Sequence, residues 1–154
     1  MKCTPPRKSN PRYIGDARKD VSQAGVYGVG DGDLGGLAAV ARDAGLRVCR
    51  IDLEGCADKR TLLMRLGTQL DFPAGWSRNW DALSDGLRDL SWLPAPGGYA
   101  LLFDAAQDMR NADETSFDTL LDVLDEAVAD WAQRDIPFWA FLALPEDEFG
   151  DPLD

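Results

Sequence analysis

The sequence predicts an α/β protein: a small, mostly parallel sheet packed with helices. Two observations carry this. Short apolar runs of strand length alternate with amphipathic stretches of helix length, in the order β-α-β-α-α-β-α-β. Helices stand between successive strands, so crossover connections are available and right-handed joining is expected. A chain of 154 residues is one domain with length enough for a core.

The elements follow in order. Residues 1–22, MKCTPPRKSNPRYIGDARKDVS, are rich in proline and basic residues and lack periodicity. A flexible basic tail is expected there. Gln23 to Val29 reads as a short buried strand ending at Gly30. Asp31 to Ala44 reads as a helix with Leu34, Leu37, Ala38 and Ala41 on one face. The nearby glycines do not make a phosphate loop. No Lys-Ser/Thr follows, and Asp31 and Asp33 would sit where an anion should bind.

Arg47 to Leu53 places apolar side chains at Val48, Ile51 and Leu53, a strand that Gly55 ends. Asp58 is placed to cap a helix whose stripe is Leu62, Leu63, Leu66 and Leu70. Asp71 to Ser77 is then an exposed loop. Trp76 within it has small or polar neighbours, which suits either an anchor for a partner pocket or a lid over the core.

The next helix is the most informative. Asn79 is an N-cap residue, and Trp80, Leu83, Leu87 and Leu90 form one apolar stripe. Asp81 and Asp85 lie one turn apart on another face. Two like charges at that spacing cost roughly a few tenths of a kcal/mol in an isolated helix.

Beyond Leu93-Pro94-Ala95-Pro96-Gly97-Gly98, a turn-rich break, Tyr99 to Phe103 is a short apolar run that reads as a buried strand. Asp104 to Ala112 is polar, with Met109 turned inward. Asp113 is expected to cap a long helix to about Arg134, with Phe117, Leu120, Leu121, Leu124, Val128 and Trp131 buried. Ile136 to Leu144 is the last strand, with Pro137 tolerable near its start. Pro145 to Asp154 is read as a loose acidic tail. The folded domain is therefore expected over 23–144.

Charge narrows the partners. The net charge is −11, unevenly spread. Residues 1–22 carry six basic and two acidic residues, whereas 71–130 carry thirteen acids against three arginines. Such a field repels nucleic acid and membranes and attracts basic proteins. The absence of histidine excludes a His-based triad, a His general base and a Cys/His zinc site. Asp104 and Asp108 lack a third ligand, so no metal or other cofactor is expected. Cys3, Cys49 and Cys56 make no disulfide framework. Cys49 reads as a small core residue and Cys56 as a loop residue. No signal peptide or membrane span is evident, so a reducing cytoplasm is the expected compartment.

The string Phe72-Pro73, Trp76, Asn79-Trp80-Asp81-Ala82-Leu83, Asp85, Leu87 and Asp89-Leu90-Ser91-Trp92 resembles the barstar family of intracellular ribonuclease inhibitors. The resemblance runs from about Arg47 to Leu142. It implies a small parallel sheet with helices, here three- to four-stranded, with 23–46 as an added strand–helix unit. It implies an inhibitor, an antitoxin or immunity protein rather than an enzyme, which plugs the active site of a basic ribonuclease or related toxin with carboxylates of the central helix. The implied partner-binding residues are Trp76, Asn79, Asp81, Ser84 and Asp85, with Glu114 as a third acidic contact and Asp118 one turn on. Ser84 stands where an aromatic contact residue often sits, and Gly75 where a tyrosine can occur. The free protein is expected to be a monomer.

Two other readings use the same residues. An acid-pair glycosidase would need carboxylates flanking a bond across a cleft, whereas Asp81 and Asp85 share one helix. A generic acidic adaptor or nucleic-acid mimic, binding another basic protein, remains the alternative.

Overall fold

Four parallel strands organise the chain. The computed structural model describes residues 24–145. In it β1 (Val26–Val29), β2 (Arg47–Asp52), β3 (Tyr99–Asp104) and β4 (Phe138–Ala143) form one sheet in the order β1-β4-β3-β2. Each neighbouring pair is parallel. The helices are α1 (Leu34–Asp43), α2 (Lys59–Gln69), α3 (Trp80–Asp89), α4 (Ala106–Ala112) and α5 (Glu114–Ala132). The expected tails, at 1–22 and from 146 onward, lie outside the described residues, as does Gln23.

Burial explains the strand order. β4 is buried at every position and β3 at all but Asp104. These are the central strands, covered on both faces, so their sequences are continuous apolar runs rather than alternations. β2 is an edge, and Arg47, Arg50 and Asp52 are exposed along it. The added unit at the front of the domain extends the sheet: β1 pairs with β4, Val26 opposite Ala140 through Val29 opposite Ala143.

Two apolar layers sandwich the sheet. On one side α1 lays Leu34, Leu37, Ala38 and Ala41 over Ala100, Leu102 and Phe141. Tyr27, Trp139 and Phe141 stack in that layer, with ring centroids 5.5–5.8 Å apart. On the other side α2, α3 and α5 bury Leu62, Leu66, Leu83, Leu87, Leu120 and Leu124 against Leu101, Phe103 and Leu142. Burying a side chain of this size stabilises by about 1.5–3 kcal/mol before the entropy cost of ordering it.

The structure departs from the sequence expectations in four places. Asp104–Ala112 is not merely polar: a left-handed Ala105 (φ 55°) turns the chain into α4, which buries Ala106 and Met109. Only seven residues long, α4 has too few apolar positions to show a helical period. The stretch read as a helix over 31–44 is a 3₁₀ turn, Asp31–Asp33, followed by α1. The last helix ends at Ala132, and Asp135 takes a left-handed turn (φ 63°) into β4. Cys49, read as a core residue, is only partly buried on the edge strand, while Cys56 lies in a loop as expected yet is fully buried.

Among the described residues, no helix is long and apolar enough to cross a membrane.

Candidate protein-binding face

α3 is held at both ends. Asn79 is extended (φ −132°), and its Oδ1 accepts the Ala82 N–H at 2.7 Å, so the predicted cap forms. At the other end Leu90 takes a left-handed conformation (φ 47°) while its side chain is buried. A bulky residue adopts that backbone only when packing over-determines it. Here burial of the Leu90 side chain supplies the constraint.

The loop before α3 is held by aromatic packing. The Phe72 ring meets Trp76 edge-on at 4.7 Å and Trp92 at 5.1 Å. Trp92 Nε1 donates to the Leu70 carbonyl at 3.0 Å. Two glycines make room: a Cβ on Gly67 would lie 2.5 Å from the Trp76 ring, and one on Gly86 would collide with Phe72. Trp76 is therefore half-buried and packs as a cover on α2, with part of its ring left at the surface.

α3 runs alongside the second half of α5. Trp131 Nε1 donates to the Leu87 carbonyl at 2.7 Å. An Arg134 nitrogen donates to the Arg88 carbonyl at 2.6 Å, and its guanidinium stacks 3.7 Å above the Trp131 ring. Ser84 Oγ donates to Glu126 Oε1 at 3.2 Å. The pairs 84–126, 87–131 and 88–134 rise together, so the helices are parallel and in fixed register.

That register sorts the expected site residues. Asp81 and Asp85 are exposed on α3, and the Asp85 side chain is 76% accessible. Arg88 donates to Asp85 Oδ1 at 2.7 Å and, through Nε, to the Ser84 carbonyl at 3.2 Å. Ser84 is buried beneath them and Asn79 is engaged in capping. Glu114 is exposed in the first turn of α5, twelve residues before Glu126, which is about 18 Å along the axis. Asp118 is about 12 Å before it on the same measure. A carboxylate of α5 that reaches α3 is Glu126, bonded to Ser84, which the sequence reading did not single out. Nothing local marks it, because the α3–α5 register is set by Trp131 and Ser84 together.

No other chemistry gathers at this face. Asp104 is spent on Arg50, at 2.8 and 3.1 Å, and Asp108 accepts the Gly55 N–H at 2.7 Å. Among the described residues no group of three or more metal-ligating side chains is arranged for an ion. One sizeable hollow, about 470 Å³, lies between Gly45, Gly97 and Asp135, at the turns entering β2, β3 and β4. None of the α3 acids lines it.

The fold and this face define a parallel α/β protein that displays carboxylates from a rigid pair of surface helices. Residues 46–143 match the family model described as Barstar (barnase inhibitor). The chain belongs to the barstar family. Family members are inhibitors rather than enzymes, and their partner is a ribonuclease. Comparison with curated proteins found no match.

Proposed function

We propose that this protein is an intracellular inhibitor, an antitoxin or immunity protein of the cytoplasm, which blocks the active site of a basic ribonuclease or related toxin. One observation carries the reading: Asp81 and Asp85 stand exposed on a helix fixed at both ends, with Glu126 brought to its flank. Carboxylates held this way can imitate RNA phosphates in a pocket of arginines and lysines. Their charge speeds encounter, and hydrogen-bonded ion pairs buried at contact slow release. Trp76 adds an aromatic edge beside them. Ser84 and Asn79 act from beneath, by fixing the helix. Glu114 and Asp118 extend the acidic surface along α5.

The same face supports a second reading, an acidic adaptor or nucleic-acid mimic for another basic protein. The Asp85–Arg88 ion pair favours keeping it, because a cation at the centre of the face is unfavourable opposite a purely basic pocket.

The test is a titration of ribonuclease activity, with a barnase-type enzyme and any basic toxin encoded beside this chain. Stoichiometric inhibition, weakened by salt and by Asp85→Ala, is expected. Binding without loss of ribonuclease activity would select the adaptor reading.

A further inference from the structure

The chain carries a net charge of −11, yet just before α3 the local charge reverses. Lys59 and Arg60, in the first turn of α2, and Arg78, one residue before the α3 cap, line a hollow of about 250 Å³ together with Leu63 and Met64. All three cations are exposed, and none forms an ion pair among the described residues. The Asp58 carboxylate, adjacent in sequence, accepts the Thr61 N–H at 2.8 Å. Lys59 and Arg60 also oppose the α2 dipole, whose positive end lies at its first turn, so they do not serve the helix. Met64 is 44% accessible, although its side chain is large and hydrophobic. A second hollow, about 200 Å³, shares Met64 and Arg78 and is lined further by Phe72, Pro73 and Trp76. The two form one groove with an apolar floor and a cationic rim.

The groove adjoins the acidic face. Arg78 stands three residues before Asp81, so their backbones are at most about 11 Å apart. A protein partner of ordinary size covers about 800 Å², a patch of roughly 16 Å radius. One seated on Asp81 and Asp85 therefore comes within reach of Arg78. A uniformly basic surface would be repelled there, because like charges brought together at an interface are unfavourable. The chemistry that fits is the reverse of what fits α3: carboxylates for the rim and a large apolar side chain for the floor.

We infer that this groove receives an acidic segment of the same protein partner, with a large apolar side chain on Leu63 and Met64 and flanking carboxylates on Lys59, Arg60 and Arg78. The inference rests on the proposed reading that α3 faces a ribonuclease. Two adjacent contacts of opposite sign fix the orientation of the partner, which acids alone on a basic surface would not, and they reject a ribonuclease that is basic throughout.

The sign of a charge reversal tests this. Lys59→Glu/Arg60→Glu places acids where the α2 dipole favours them, so the fold should hold. Against a ribonuclease that the parent inhibits, this variant should raise the inhibition constant roughly fivefold or more. Tighter inhibition would mean a basic surface opposite the groove, and unchanged inhibition a groove outside the interface; either would overturn the inference. The free protein gives a second readout with a synthetic peptide, Glu-Glu-Phe-Leu-Glu-Glu. In ¹⁵N spectra it should shift the Leu63, Met64 and Arg78 amides saturably, and the double variant should weaken that response. If the parent inhibits no ribonuclease offered, the peptide decides alone. Saturable shifts would then keep an acidic occupant while the ribonuclease reading fails, and their absence would overturn the inference. An RNA oligonucleotide that moves these amides where the peptide does not would overturn it too, giving the groove to nucleic acid.

Discussion

Ser84 on α3 and Glu126 on α5 share a hydrogen bond of 3.2 Å, which brings a carboxylate of α5 against the helix that carries Asp81 and Asp85. Ser84 is buried at this contact, whereas Asp85, the next residue, is exposed. Replacing Ser84 with alanine should leave the fold intact and loosen Glu126. In an inhibition assay the loss should resemble that of Glu126→Gln, and the two changes together should cost less than their sum.

Asp85→Ala is the largest effect expected at the face. Cations of the enzyme that close on Asp85 would be left buried and unpaired. Removing one partner of such a pair costs about 3–5 kcal/mol, so the inhibition constant should rise at least about a hundredfold. Urea unfolding of the free protein should change little, because the Asp85 side chain is exposed. An Asp85→Ala protein that inhibits as well as the parent would remove the α3 face from the mechanism.

Arg88→Ala should act in the opposite direction on encounter. Arg88 lies against Asp85 and offsets its charge. Without it, association with a basic ribonuclease should quicken, roughly twofold to tenfold at low salt, and depend more steeply on ionic strength. Stopped-flow association at several salt concentrations reads this directly. A slower association would mean that Arg88 meets an acid on the partner.

The α3 cap and the loop beneath it should govern stability. Asn79→Ala removes the acceptor for the Ala82 N–H and should cost about 1 kcal/mol in urea unfolding. Gly86→Ala forces its new methyl into the Phe72 ring and should cost about 1–3 kcal/mol. Adding Phe72→Leu should recover part of that cost. Simple additivity of the two changes would show that the ring is not the obstacle.

Alkaline pH should weaken the fold. Burial raises the Cys56 and Cys49 thiols and the Tyr99 phenol above their ordinary values; Arg65 partly opposes the shift at Cys56, and Arg47 those at Cys49 and Tyr99. In each case the native state favours the neutral form. Their stabilisation is therefore complete below the unfolded values, 9.0 for the thiols and 10.0 for the phenol, and is lost as pH rises through the raised native values. Urea midpoints should fall with pH above those unfolded values, less steeply in Cys56→Ala. An equal slope in that variant would place the alkaline loss elsewhere.

The sequence by itself determined the class of fold and where three of its helices start. Continuous apolar runs at 99–103 and 138–144 specify strands buried on both faces, because only such strands need no polar alternation. Asp58, Asn79 and Asp113 cap their helices as their side-chain chemistry dictates, through local hydrogen bonds that need no tertiary contact. The Asp81–Asp85 spacing likewise puts both acids on one helix face at any packing angle.

Tertiary structure alone decided the rest. α4 was hidden because Ala105 turns the chain through a left-handed conformation that its residue type does not announce, and seven residues hold too short a period. The seat of the Trp76 ring, on Gly67 and against Phe72, is likewise a tertiary contact. Glu126 meets Ser84 on α3, about 18 Å along the α5 axis from Glu114, because the register of two parallel helices is set by side chains that meet only after both have docked on the sheet. Contacts within one helix turn are written in neighbouring residues. Contacts between helices more than forty residues apart depend on the whole packed core.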